Sequence, residues 1–278
     1  MLRMPMPTVG EALITCWNAA EDALREQVSS NYYDRDEPFL TEMFSCLLAR
    51  RCESASAAGD FERALLTDLY QAGLTVPTYA YGEIASGLIA EVSFHAPKVE
   101  GKTGGDFGIV VCRPEIQHGY GPSELTLNND SYRGLLVQAK VLQRDGHWGR
   151  FSRKQHKVLP DKLGYASLLL YQYQDNTGNR RELAPLQWHL MSEAKTLKEV
   201  KQWLTKNAFR TRRTSQEILG SLLDDTIGTD DENVIRHVIT PPQRESLSIK
   251  ICWRNGPPDI AHLTEQVVQH VHQLIINS

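Results

Sequence analysis

Two short apolar segments constrain the fold of this chain more than any other feature, because each carries charged or amide groups that a purely structural strand would not want. The first is Thr103-Gly-Gly-Asp-Phe-Gly-Ile-Val-Val111, and the second is Gly134-Leu-Leu-Val-Gln-Ala-Lys140. Asp106 and Lys140 both stand where a strand begins or ends. Gln138 and Lys140, two residues apart, project from the same face. On adjacent strands, this carboxylate, amide and ammonium form a set able to hold a divalent metal beside a phosphodiester. Nothing else in the chain offers comparable chemistry.

The 278 residues, 41% of them hydrophobic, suit one large domain or a domain with appendages. The longest apolar run, Ala166-Ser-Leu-Leu-Leu-Tyr171, is far shorter than the roughly 20 residues that cross a bilayer. The opening Met1-Leu-Arg-Met-Pro-Met-Pro lacks the basic region and apolar stretch of a signal peptide. Cys16, Cys46, Cys52, Cys112 and Cys252 show no CxxC spacing, so they read as reduced thiols. The expectation is a cytoplasmic protein with no membrane segment.

Helical spacing runs through residues 10–28 and, more strongly, 38–52, and a third helix is expected at 60–72. Strands are expected at 87–95, 106–112 and 134–142. Between the last two, Arg113 to Arg133 reads as a long excursion or hairpin, rich in turn residues. A helix over 152–160 precedes strands at Tyr165 to Tyr173 and Leu186 to Met191, with a turn at 175–179. Helices at Thr196 to Asn207 and Ser215 to Asp224, a strand at Leu247 to Trp253 and a helix at Asp259 to Asn277 complete the chain. This order predicts an α/β sandwich with a central mixed sheet, treated as a single domain over 1–278. Its core lies at about 35–175, with an α/β extension over about 176–278.

Gly-Gly-Asp-Phe-Gly-Ile followed by Val-Gln-Ala-Lys resembles the core of the PD-(D/E)xK nuclease superfamily. The form with Gln in place of the usual acid is similar to Mrr-like restriction endonucleases, whose pattern is a Gly-rich turn, an Asp on a strand and a QxK strand. The resemblance covers roughly residues 35–175. It implies a restriction-endonuclease-like three-layer sandwich, with a mixed β-sheet flanked by helices, and a metal-dependent endonuclease acting on DNA. Prokaryotic defence against foreign DNA is the setting it suggests, with a possible protein partner of a defence system or a homodimer. A catalytically inactive nucleic-acid-binding subunit of a larger defence complex is the alternative, and RNA is an open substrate.

The resemblance also implies roles. Asp106 binds Mg²⁺ (or Mn²⁺), a hard cation suited to carboxylates, carbonyls and water, and the Ala139 carbonyl supplies another ligand. Gln138 ligates through its oxygen or positions a water, and Lys140 orients or deprotonates the attacking water. An acid on an early helix completes the site, for which Glu37 and Glu42 compete. At about 100° per residue, Glu37 lies near the stripe of Leu40, Met43, Phe44, Leu47 and Leu48, whereas Glu42 points away. Glu37 is therefore favoured, as the N-cap preceding Pro38. Glu62, Glu83 and Glu91 are weaker candidates.

The net charge of −4 does not itself suggest a polyanion partner, but its distribution does. Arg144 to Lys157 holds five Lys/Arg and one Asp, interleaved with Trp148 and Phe151. Arg150, Arg153, Lys154 and Lys157 are expected to contact DNA phosphates, joined by Arg210, Arg212 and Arg213 of a second basic run. Gln155 is expected to support the site from the second shell of residues. Ala96 to Thr103 fits a loose phosphate-loop pattern, but a β-like run follows it where a helix is required. Tyr171 and Tyr173 read as strand packing, not as a base-stacking platform.

Overall fold

A computed structural model describes residues 8–29, 36–71, 88–95, 105–118, 125–142, 146–176, 180–206, 209, 211–239 and 246–253. Three helices come first: α1 (Val9–Ser29), α2 (Glu37–Ala57) and α3 (Asp60–Gln71). In α1, Val9, Leu13, Trp17, Ala20, Leu24 and Val28 recur at three- and four-residue steps and are buried, which is why this segment is helical and which face it turns inward. Leu40, Phe44, Leu48 and Cys52 do the same in α2. The Trp17 and Phe44 rings meet edge to face at 4.8 Å, locking the two helices together.

The strands are β1 (Leu88–His95), β2 (Phe107–His118), β3 (Leu125–Val141), β4 (Ala166–Tyr171), β5 (Tyr173–Asn176), β6 (Arg180–Leu183), β7 (Gln187–Leu190) and β8 (Ser246–Trp253). Six of them form one mixed sheet in the order β1-β8-β2-β3-β4-β7, while β5 and β6 pair separately as a hairpin. The expected excursion from Arg113 to Arg133 is a hairpin: β2 and β3 run on antiparallel to His118↔Leu125, with an irregularity between Arg113 and Glu115. Between β3 and β4, which are parallel, lie α4 (Arg153–Val158) and a 3-10 turn (Pro160–Tyr165). Parallel neighbours require such a crossover.

Both faces of the sheet are covered. Phe107, Ile109, Val111, Leu135, Val137, Ala139, Leu169 and Tyr171 pack with α1, α2 and α3 and with α6 (Ser215–Leu223). Leu136, Leu168 and Leu170 face the other way, onto Trp148, Phe151, Leu159 and α5 (Leu197–Lys206). The protein is thus mixed α/β, with helices on both sides of a mixed sheet. β7 and β8 come from the expected extension after residue 175, yet β8 inserts between β1 and β2 and β7 closes the far edge. The sheet therefore draws strands from both sides of that boundary. A short helix at Glu232–Val234 runs into a π-helical turn, Ile235–Ile239, which the sequence patterning does not reveal. Among the described residues no helix is long and apolar enough to cross a membrane. The expected helix at Asp259 to Asn277 lies outside the described residues, as do Ala96 to Thr103.

Candidate active site

The site forms where β3 runs on past the start of β2. Phe107 pairs with Val137, and the Asp106 N–H donates to the Val137 carbonyl at 2.8 Å as the last rung of the ladder. One step further along β3, no strand is left to receive the Ala139 N–H. The Asp106 carboxylate takes that place, accepting from it through Oδ2 at 2.9 Å. Successive peptide groups of a strand alternate between its two neighbours. The Ala139 carbonyl therefore faces the same side as the Val137 carbonyl, past the end of β2 and toward Asp106.

Lys140 reaches Asp106, and Gln138, two residues earlier on β3, shares the face of Lys140 as the spacing predicts. Lys140 Nζ is 3.6 Å from Asp106 Oδ2 and 5.4 Å from the centroid of the Phe151 ring, so the ammonium is held between a carboxylate and an aromatic face. Gln155 reaches the same carboxylate, its Nε2 donating to Asp106 Oδ1 at 3.4 Å. Its orientation follows from the start of α4. Ser152 and Gln155 form a capping box in which Gln155 Oε1 accepts the Ser152 N–H at 2.7 Å. With its oxygen committed there, the amide turns its nitrogen to Asp106. Gln138 is fully buried. Its Nε2 donates to the Ala139 carbonyl at 3.4 Å, and its Oε1 has no hydrogen-bond partner among the described residues.

Glu37 stands on α2, which packs on the other face of the sheet from Gln138 and Lys140. The helix begins one residue earlier than expected: Asp36 is the N-cap, its carboxylate accepting the Phe39 N–H, and Glu37 is the first helical residue. The expectation that Glu37 caps α2 is corrected accordingly. The shorter aspartate reaches the orphan N–H, and Pro38 occupies the first turn without loss. Glu37 is half-buried and Glu42 is exposed. The Glu37 carbonyl accepts from Thr41 Oγ1 at 2.9 Å, and that hydroxyl lies 3.2 Å from the Tyr171 hydroxyl. Burial pushes the Tyr171 phenol up, opposed by the Thr41 hydrogen bond and reinforced by the negative fields of Glu37, Glu21 and Asp106. Glu37 and Asp106 therefore act electrically on the same buried hydroxyl, one from each layer. Tyr171 and Tyr173 are both buried, which suits packing. Glu62 is half-buried on α3, and Glu83 and the side chain of Glu91 lie outside the described residues.

Among the described residues, no three His, Cys, Asp or Glu side chains converge to hold a metal. The oxygens linked to Asp106 through Ala139 are the Ala139 carbonyl, whose N–H the carboxylate accepts, and those of Gln138, whose amide donates to that carbonyl. This all-oxygen set has the hardness that Mg²⁺ or Mn²⁺ requires, and the buried, unpartnered Gln138 oxygen is the atom a cation or its water would satisfy.

The basic residues divide by environment. Arg150, Arg153, Lys154 and Lys157 are exposed, the last three on α4, whose N-terminal end carries Gln155. Arg212 is exposed as well, whereas Arg213 is half-buried. Arg213 pairs with Glu193 at 3.3 Å, and its peptide exchanges hydrogen bonds with Trp188. Arg210 lies outside the described residues. Sequence reasoning missed the parts that frame the site, namely Ser152 as the cap orienting Gln155, and Phe151 as the ring beneath Lys140. The Ser-x-x-Gln spacing ahead of α4 was the available signal for the first. The chain matches no protein-family profile and no curated protein.

Proposed function

We propose that this protein is a metal-dependent nuclease of the restriction-endonuclease-like fold, hydrolysing phosphodiester bonds of DNA. The observation that carries the reading is the buried Asp106–Lys140 pair at the start of β2, with Gln138 on the same face of β3 and its amide oxygen without a partner among the described residues. An unsatisfied buried acceptor costs about 1–3 kcal/mol, so a cation or its water at that oxygen would add stability.

In this reading Asp106, the Ala139 carbonyl and Gln138 Oε1 would hold Mg²⁺ or Mn²⁺, and Glu37 of α2 is the further acid that the resemblance implies. When bound, the cation polarises the phosphoryl oxygen and acidifies a water. Asp106 orients Lys140, whose Nζ–H groups offset the charge that builds on the phosphorus oxygens and position the attacking water. Gln155 keeps the Asp106 carboxylate from rotating. The exposed cations of α4 track the backbone of the nucleic acid. Defence against foreign DNA is the setting that the resemblance to Mrr-like enzymes suggests.

The experiment is nicking of supercoiled plasmid by the full chain with Mg²⁺ or Mn²⁺, beside Lys140→Ala. Cleavage that needs the metal and disappears in the variant supports the proposal; cleavage that survives in Lys140→Ala removes it. One observation favours a second reading, a nucleic-acid-binding subunit without activity. Among the described residues, a single carboxylate stands at the strand edge, and Lys140 already neutralises it. Metal-independent DNA binding with no cleavage of any substrate would select this alternative.

A further inference from the structure

Beyond the Phe151 ring, a cleft of about 420 Å³ opens between residues 147–151, α4 and α5. The ring lines the cleft. Lys140 rests against it, and its other contacts include His156, edge to face at 6.2 Å. The segment that carries Trp148 is tied back onto the end of β3 by the Leu142↔Trp148 bridge and the Gly149 N–H to Val141 carbonyl bond at 3.3 Å. Trp148 is braced from behind by Phe209, edge to face at 6.2 Å, which itself stacks on His189 at 4.2 Å. Trp148 and Phe151 are each 8% exposed, so only a small part of each ring reaches the cleft and both are fixed before anything binds.

The chemistry of the lining is one-sided. His147, Arg150, His156 and Lys201 contribute cationic or imidazole groups, and no carboxylate is among the described lining residues. A volume of this size is in the range of small-molecule sites. Rigid aromatic surface, though small in area, suits contact with a planar ring, and the cations around it suit an anion attached to that ring. A nucleotide has both. The stacked bases of an intact duplex cannot enter such a cleft, whereas a base from a single strand, or one turned out of a helix, can.

We propose that this cleft receives one unpaired nucleotide adjoining the scissile phosphodiester, so that the preferred substrate is single-stranded nucleic acid or a duplex with an unpaired position. Its placement beside the reacting phosphate rests on the nuclease reading; its binding chemistry does not. The cleft lies one ring away from Lys140, so a strand passing over Phe151 brings the neighbouring phosphate to Asp106 and Lys140 as its base enters.

The test measures binding by fluorescence anisotropy, using a labelled short single strand of DNA and a blunt duplex, on an Asp106→Asn background so that neither probe is consumed. Thr205→Trp fills the cleft from an exposed position on α5 without altering charge. It should weaken single-strand binding about tenfold, as loss of one base–aromatic contact does, and leave duplex binding unchanged. Lys201→Ala should shift single-strand affinity in the same direction and serves if the tryptophan variant fails to fold. Unchanged single-strand affinity in both variants, or equal losses for strand and duplex, overturns the proposal. Cleavage by the parent protein is scored separately. Absence of cleavage together with a selective loss in Thr205→Trp removes the nuclease and leaves a single-strand site, whereas cleavage with an indifferent Thr205→Trp does the reverse.

Discussion

Lys140 Nζ lies 3.6 Å from Asp106 Oδ2, and the two side chains are only 7% and 8% exposed. Each offsets part of the other's cost of leaving water. The carboxylate is satisfied further by the Ala139 N–H and Gln155, whereas the ammonium leans on the Phe151 ring. An arrangement of this kind fixes both groups before a substrate arrives, which is what electrostatic catalysis requires.

Removing one charge should therefore affect stability as well as activity. Asp106→Asn retains an acceptor for the Ala139 N–H but leaves Lys140 buried beside a neutral amide. We expect loss of cleavage and a stability loss of about 3 kcal/mol, the low end for breaking a buried ion pair. Asp106→Asn combined with Lys140→Met should recover much of the stability and none of the activity. Urea unfolding of the three proteins decides it. A double variant no more stable than the single one would mean that the pair is not the linkage described.

Gln138→Glu places a second carboxylate in a fully buried position near Asp106. Without divalent metal the variant should melt below the parent, because a buried charge beside a like charge lacks compensation. Added Mn²⁺ should raise its Tm by more than it raises that of the parent. Equal shifts in the two proteins would show that the Gln138 oxygen does not face a cation site.

Gly108 tests the packing of the sheet. A Cβ there would overlap the Ile239 carbonyl oxygen and lie 2.6 Å from Ile239 Cγ2, whereas one at Gly134 would meet side-chain atoms alone, Ile239 Cδ1 at 2.5 Å and Ile235 Cγ1 at 2.9 Å. A side-chain end can swing aside; a carbonyl cannot move without lifting the π-helical turn. Gly108→Ala should cost about 1–3 kcal/mol, and Gly134→Ala less. Ile239→Ala should rescue the second and not the first. Comparable midpoints for the two glycine variants in chemical denaturation would contradict this.

Much of the site was legible in the sequence because its determinants are local. Alternation along Gly134 to Lys140 puts Gln138 and Lys140 on one face whatever surrounds them, and β-branched framing marks Asp106 as a strand start. Gln155 was within reach for the same reason, three residues after a serine that caps its helix. What escaped depends on distant pairing. Nothing local in Leu247 to Trp253 says that this strand will slide between β1 and β2, and the contact of Ile239 with Gly108 joins segments more than a hundred residues apart. The cap of α2 was ambiguous for a different reason. Asp36-Glu-Pro offers two adjacent carboxylates, and only the geometry of the Phe39 N–H separates them.

His189 gives the protein an acid-side sensitivity. The ring is 1% exposed, its Nδ1 donates to the Thr211 carbonyl at 2.6 Å, and Nε2 is buried without a partner among the described residues. Burial pushes its ionisation below the usual histidine value, with the Thr211 bond opposing. The unfolded chain therefore takes up the proton first. The stability due to neutral His189 is complete above about pH 6.5 and falls as pH drops below that value, by up to about 1.4 kcal/mol per pH unit. His189→Gln should flatten this part of the stability profile between pH 5 and 6.5. An identical slope in the variant would assign the effect to other groups.

The exposed face of α4 carries the last prediction. Arg153 and Lys157 are one helical turn apart and exposed, on a helix whose Gln155 touches Asp106. If they contact successive phosphates, replacing both with Ala should lower the log–log slope of DNA affinity against salt by about two, close to one per lost contact. Sequence preference should not change, since phosphates carry no base identity. Arg213 is the internal control. Tied to Glu193, it has less freedom to meet DNA, so Arg213→Ala should leave the slope nearly intact while lowering stability. Affinities measured at several salt concentrations give both slopes. A slope unaffected by the Arg153/Lys157 pair would move the path of the nucleic acid away from α4.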